Sequence, residues 1–132
     1  MRLDIGESER MPTLEELFKL SEEAPEMLLN IEVKAPDSPE VAARYDTEKA
    51  ATTICHLISK YRLAKRTMIS SFNVQQLQAI KRASQGKRDF LIQSLRNYDG
   101  GPDPADYALN PDERGVNLIY NLLNRQLVQR LR

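Results

Sequence analysis

The sequence predicts an α/β fold built on a parallel sheet of about four β/α units, and three observations carry that expectation. Strand-like runs recur at 28–34, 67–72, 89–95 and 116–120. Segments with apolar residues at helical spacing lie between or after them. Alternating strands and helices are the pattern of right-handed βαβ units, whose strands run parallel. At 132 residues, 41% hydrophobic and 29% charged, the chain has the size and composition of one globular domain at most.

Taken in order, Pro12-Thr13-Leu14-Glu15-Glu16 reads as a helix start. The Thr13 hydroxyl can accept from the Glu16 amide while the Glu16 carboxylate reaches back to Thr13, and a short helix follows to about Ser21. Pro25 closes the connection to the first strand, 28–34. There Asn30, Glu32 and Lys34 alternate with Ile31 and Val33, and a period of two sends the apolar pair to one face and the charged pair to the other. The breaker run Ala35-Pro36-Asp37-Ser38-Pro39 ends it, and 40–46 is ambiguous. From Thr47 to Tyr61, residues Ala50, Ile54, Leu57, Ile58 and Tyr61 share a helical face. Thr67 to Phe72 forms the second strand. Asn73 with Gln76 repeats the cap signature for a helix carrying Val74, Leu77 and Ile80, ending near Gly86. Asp89 to Leu95 has the nearly continuous apolar character of a buried parallel strand. A polar loop, Arg96 to Arg114, contains Gly100-Gly101-Pro102; a fourth strand runs Val116 to Tyr120, and Asn124 caps a last helix stapled by Leu123 and Val128. Four strands leave two bare edges where a closed barrel needs about eight, so the chain reads as half of a larger structure that associates through its open edges.

Nineteen basic and nineteen acidic side chains cancel, so no global field favours nucleic acid or an anionic membrane surface. The basic clusters 60–66 and 81–88 suit helix ends and do not alternate with aromatics. No apolar run approaches the roughly 20 residues that span a bilayer, and the start lacks the apolar core of a signal peptide. The single cysteine leaves the redox compartment open, with the cytosol the default expectation.

The most informative residues are Glu32 and Lys34. They sit at the carboxyl end of a predicted strand, where parallel α/β sheets keep their ligand sites, and a carboxylate beside an ammonium suits a cation or an anionic substrate. A same-face structural ion pair fits the same residues. Ser70 and Ser71 read as small residues tolerated by close packing, with no nearby histidine to activate a nucleophile. His56 and Cys55 are neighbours on a helix, which share no face, and read as helix and core residues. Gly100-Gly101 follows no phosphate-loop pattern.

Four pieces, Met11-Pro12-Thr13-Leu14-Glu15-Glu16-Leu17, Leu29-Asn30-Ile31-Glu32-Val33-Lys34, Ile69-Ser70-Ser71-Phe72-Asn73 and Gly115-Val116-Asn117-Leu118, stand in the order and spacing of a known family. The chain resembles the glycerophosphodiester phosphodiesterase domain, a (β/α)8 TIM barrel. The resemblance spans nearly all of it and corresponds to the fourth through seventh strands. It implies metal-dependent hydrolysis of glycerophosphodiesters, in lipid metabolism, to glycerol phosphate and an alcohol. It also implies that Glu32 is a ligand of a divalent cation (Ca or Mg) and Lys34 a contact to the substrate phosphate. Phe72 resembles the apolar residue beside the substrate, and Ser71 and Asn117, at comparable strand ends, can donate to phosphate or glycerol oxygens. A hard cation takes carboxylate oxygens, and cation and ammonium together stabilise charge building on phosphorus. In the family, acid and base are two histidines from the first and third strands, and further metal carboxylates come from the second. The one histidine here, His56, falls in a predicted helix, so no catalytic residue is assigned. Residues 1–132 are expected to be a partial domain without the amino-terminal half of the barrel, inactive alone. Two other functions stand beside this one: a truncated barrel that binds phosphate or a partner without turnover, and an aldolase-type lyase using Lys34 as a Schiff base.

Overall fold

The computed structural model describes residues 4–6, 9–84, 90–95, 116–117 and 125–130. Strands β1 (Asp4–Gly6) and β2 (Glu9–Arg10) pair antiparallel, with Gly6 at φ +97°, a conformation that favours glycine. Helix α1 (Leu14–Leu20) starts with the expected capping box: the Glu16 N–H donates to Thr13 Oγ1 at 3.2 Å, and the Thr13 N–H donates to Glu16 Oε2 at 2.8 Å. Arg10 joins it with two hydrogen bonds to the Glu16 carboxylate, at 2.9 and 2.6 Å, tying β2 to the helix.

Strand β3 (Leu29–Glu32) leads into the short helix α2 (Pro39–Ala42), capped by Ser38 with proline at its first position. This helix resolves the ambiguous segment. Helix α3 (Thr47–Lys60) is capped by Asp46, whose Oδ1 accepts from the Lys49 N–H at 2.9 Å. It ends in a Schellman arrangement: the Leu63 N–H reaches Ile58 O at 2.9 Å and the Arg62 N–H reaches Ser59 O at 3.1 Å, with Arg62 left-handed at φ 54°. Strand β4 (Thr67–Ser71) feeds helix α4 (Val74–Ala83) through Asn73, whose Oδ1 accepts from the Gln75 and Gln76 amides. Strands β5 (Leu91–Leu95) and β6 (Val116–Asn117) and helix α5 (Arg125–Arg130) complete the described elements. Strand β3 is shorter than its run 28–34 suggests, and β4 stops one residue before Phe72. The loop 96–114, Gly86, Asp89, residues 118–120 and the staple of Leu123 and Val128 with the Asn124 cap lie outside the described residues.

The sheet order is β3-β4-β5-β6, every pair parallel, which makes the fold an α/β partial barrel of four β/α strands. The register pairs Leu29 with Thr67, Ile31 with Ile69 and Glu32 with Ser70, then Ile69 with Ile92 and Ser70 with Gln93. Because paired residues in a pleated sheet point the same way, Leu29, Ile31, Val33, Ile69 and Ile92 share one face. That face meets the helices: Leu29, Val33 and Ile69 are buried in one cluster with Phe18, Ala51, Leu57, Ile58, Leu63, Ala79 and Ile80. The amino ends of β3 and β4 are held by Arg66, whose guanidinium donates to the carbonyls of Ala24 (2.8 Å), Pro25 (2.6 Å), Met27 (3.2 Å) and Ser21 (3.4 Å).

Candidate functional site

On the face opposite the helices, the same register places Asn30 and Glu32 of β3, Met68 and Ser70 of β4, and Leu91, Gln93 and Leu95 of β5. Glu32 is the last ladder residue of β3, its side chain 36% exposed. Beyond it the Val33 N–H still reaches Ser70 O at 2.8 Å, and the Lys34 side chain, 80% exposed, brings Nζ to 3.6 Å from Glu32 Oε1. An ion pair this exposed contributes at most about 1 kcal/mol, so fold stability does not account for the two charges.

Beside them the buried Ser70 hydroxyl donates to Asn30 Oδ1 at 3.0 Å. Phe72, just past the end of β4, is 54% exposed. Its ring therefore does not pack into the core, the other role open to an aromatic at that position. Asn117 is paired with Leu95, and hence in phase with this face; its side chain lies outside the described residues.

Ser71 is placed differently from the expectation that it donates to substrate. One residue along the pleat from Ser70, it is paired with the buried Ser94 and is itself fully buried. Its hydroxyl donates to Val33 O at 2.5 Å and accepts from the Asn73 N–H at 3.0 Å. Its one proton is committed to the backbone of the strand that carries Glu32 and Lys34, so it positions that strand end. The hydroxyl on the site face belongs to Ser70.

Gln93 was not signalled by composition. It lies in the same row as Glu32 and Ser70 and has a buried Oε1 without a hydrogen-bond donor among the described residues. The available clue was its place as a polar residue directly after the apolar run Phe90-Leu91-Ile92. His56 is exposed on α3 and lines, with Cys55, Arg62, Lys65 and Phe90, a 610 Å3 cavity in the helix layer where α3 gives way to β4. The Cys55 thiol is pushed up by burial and lies 3.7 Å from Ile80 O. Neither residue shares the face of Glu32.

A divalent cation tests poorly against this chain's residues. Hard cations take six to eight oxygens, whereas no group of three or more histidine, cysteine or acidic side chains that could hold a metal occurs among the described residues. Glu32 supplies one carboxylate, and the Asn30 oxygen already accepts from Ser70. These residues do not make a complete metal site. Among the described residues no helix is long and apolar enough to cross a membrane.

A four-strand segment of a parallel β/α barrel, with charged and polar side chains gathered at the carboxyl ends of its strands, defines a barrel ligand site of the kind that enzymes use. The chain matches the model of the glycerophosphoryl diester phosphodiesterase family over residues 2–132, and it belongs to that family. Solved structures agree. A Galdieria sulphuraria protein assigned as a glycerophosphodiester phosphodiesterase aligns with TM-score 0.71 and 28% identity, over 96% of this chain and 48% of that one. The glycerophosphodiester phosphodiesterase of Parabacteroides distasonis aligns with TM-score 0.54 and 27% identity, over 70% of this chain and 36% of that one. The chain thus spans about half or less of the structures it matches. Among curated proteins, none matches.

Proposed function

We propose that this chain forms the phosphate-binding part of a phosphodiester hydrolase that cleaves glycerophosphodiesters of lipid metabolism to glycerol phosphate and an alcohol. The observation that carries this reading is the pleat. The register pairs Glu32 with Ser70 on the sheet face opposite the helices, with the exposed Phe72 just past the end of β4 and the Lys34 ammonium beside Glu32 at the carboxyl end. In it, Lys34 neutralises a phosphoryl oxygen, and the exposed Phe72 ring lies against the carbon skeleton of the glycerol or its leaving alcohol. Ser70 and Asn30 hold each other and keep the floor of the site polar. Glu32 is one ligand of a divalent cation, Ca or Mg, completed by carboxylates outside this set. Such a cation, when bound, supplies charge stabilisation at phosphorus and a more acidic water. The proton-transfer pair also comes from outside this set, from further barrel strands or a second polypeptide, since His56 is on a helix away from the site.

Binding without turnover is the second reading, favoured because among the described residues no group of three histidine, cysteine or acidic side chains could hold a metal. The Schiff-base reading has little support: a nucleophilic lysine is activated by desolvation or a cationic neighbour, and Lys34 has water and a carboxylate instead. Calorimetry of the full 132-residue chain with sn-glycerol 3-phosphate, paired with a hydrolysis assay on glycerophosphocholine, tests the proposal. Lys34→Met should weaken binding about tenfold, on the scale of one charge-assisted contact. Binding unchanged by Lys34→Met ends the reading, and binding with no hydrolysis under any added cation, even with the missing barrel strands supplied, selects the non-catalytic form.

A further inference from the structure

Arg62 stands at the left-handed position that closes the Schellman turn of α3, a place that glycine usually fills. A side chain there strains the backbone, and strain of this kind gathers at ligand clamps and active sites. The helix end itself does not need the guanidinium. The carbonyls of Leu57, Ile58 and Ser59 already accept from the amides of Tyr61, Leu63 and Arg62. Nor does a carboxylate hold it. Around it Lys60 pairs with Glu15, Arg82 pairs with Glu48, and Arg66 donates to four carbonyls. Among the described residues, the side chains of Arg62 and Lys65 have no such partner.

Both side chains line the 610 Å3 cavity between the ends of α3 and α4, a volume within the range of about 300–1,000 Å3 that small-molecule sites occupy. Lys65 and Phe90, on its wall, lie just ahead of β4 and β5, so the cavity is on the rim opposite Glu32 and Lys34. Ile58, Ala83 and Phe90 make it apolar, and no acidic side chain among the described residues lines it. Exposed cations alone hold a bare anion weakly in water, so the apolar wall decides the class of ligand. The arginine fork takes two oxygens of a carboxylate or phosphate, while an apolar chain laid on Ile58 and Phe90 leaves water. We propose that this cavity binds an amphiphilic anion, a carboxylate or phosphate head on an apolar chain, with Arg62 and Lys65 at the head.

Calorimetry on the full 132-residue chain tests this with decanoate and decyl phosphate, set against decanol, which lacks the charge, and acetate, which lacks the chain. At least one of the two amphiphilic anions should bind one per chain, about tenfold more tightly than decanol, and acetate should not displace it; the stronger of the two identifies the head group. Arg62→Gly and Lys65→Met should each weaken that binding about tenfold, the scale of one charge-assisted contact. Arg62→Gly relieves the left-handed strain, so its urea midpoint should not fall and its lost affinity is not lost fold. Lys65 is exposed, and Lys65→Met keeps the test decisive should Arg62→Gly unfold. Neither anion binding, decanol binding as tightly as both, or an unchanged affinity in either variant would overturn the proposal. An affinity that falls with Lys34→Met and not with Arg62→Gly would place the anion on the opposite rim and overturn it equally.

Discussion

Ser71→Ala separates a strand-positioning residue from a substrate donor. The substitution deletes two hydrogen bonds, from the Ser71 hydroxyl to Val33 O at 2.5 Å and from the Asn73 N–H to Ser71 Oγ at 3.0 Å. Val33 is buried, so its carbonyl loses its side-chain partner where water is scarce, at about 1–3 kcal/mol. The Asn73 amide is only partly buried and can turn to solvent for about 0.5–1 kcal/mol. Together the loss is about 1.5–4 kcal/mol, which at a urea dependence of about 1.5 kcal/mol per molar lowers the unfolding midpoint by roughly 1–3 M. Ser70→Ala is the control: it removes one bond to an exposed Asn30, and its cost is about 0.5–1 kcal/mol. Urea unfolding of both variants, with slopes compared, reads the difference. A Ser71→Ala variant as stable as wild type that binds phosphate esters poorly would refute the placement, as would a Ser70→Ala variant that loses more than Ser71→Ala.

Arg62→Gly should stabilise the protein by about 1 kcal/mol, because Arg62 occupies a left-handed position that costs a side-chain-bearing residue about that much; a fall in urea midpoint would contradict it. Glu32→Gln should change stability by less than about 0.5 kcal/mol in urea unfolding, as expected for an exposed pair held 3.6 Å apart; a larger loss would assign Glu32 a structural role. Glu16 is held well below the ordinary carboxylate value of 4.5, first by the Arg10 hydrogen bonds and then by the Thr13 amide and hydroxyl. A depressed folded-state value means that its contribution is complete above the ordinary value and is lost as the pH falls through the folded one. Acid titration followed by circular dichroism should therefore show helix loss below about pH 4.5 that Glu16→Gln removes, and identical profiles would refute the link.

Much of the architecture was legible because local chemistry and tertiary structure agree. Thr13 with Glu16, and Asn73 ahead of Val74, announce helix starts that the fold uses as written. Ile31 and Val33 alternate against Glu32 and Lys34, so β3 declares its two faces. The limits have physical causes. Thr67-Met68-Ile69-Ser70-Ser71 has no alternation to read, since Ser70 and Ser71 are both buried on opposite faces, and a one-residue choice moves a hydroxyl from site to backbone. Gln93 is visible only once its row is aligned with Ser70, which is a matter of register between strands more than twenty residues apart. The β1–β2 pair carries no apolar periodicity and depends on Gly6 and on the reach of Arg10 to Glu16, a contact made only after α1 exists.

One guanidinium, that of Arg66, gathers four peptide oxygens from the turn ahead of β3 while standing at the threshold of β4. The consequence is a division of labour between the two rims of the molecule. The underside is clamped independently of whatever is grafted above it, so loops at the opposite rim are free to be exchanged in the laboratory, or to drift over evolutionary time, without retuning how these two neighbouring strands set out.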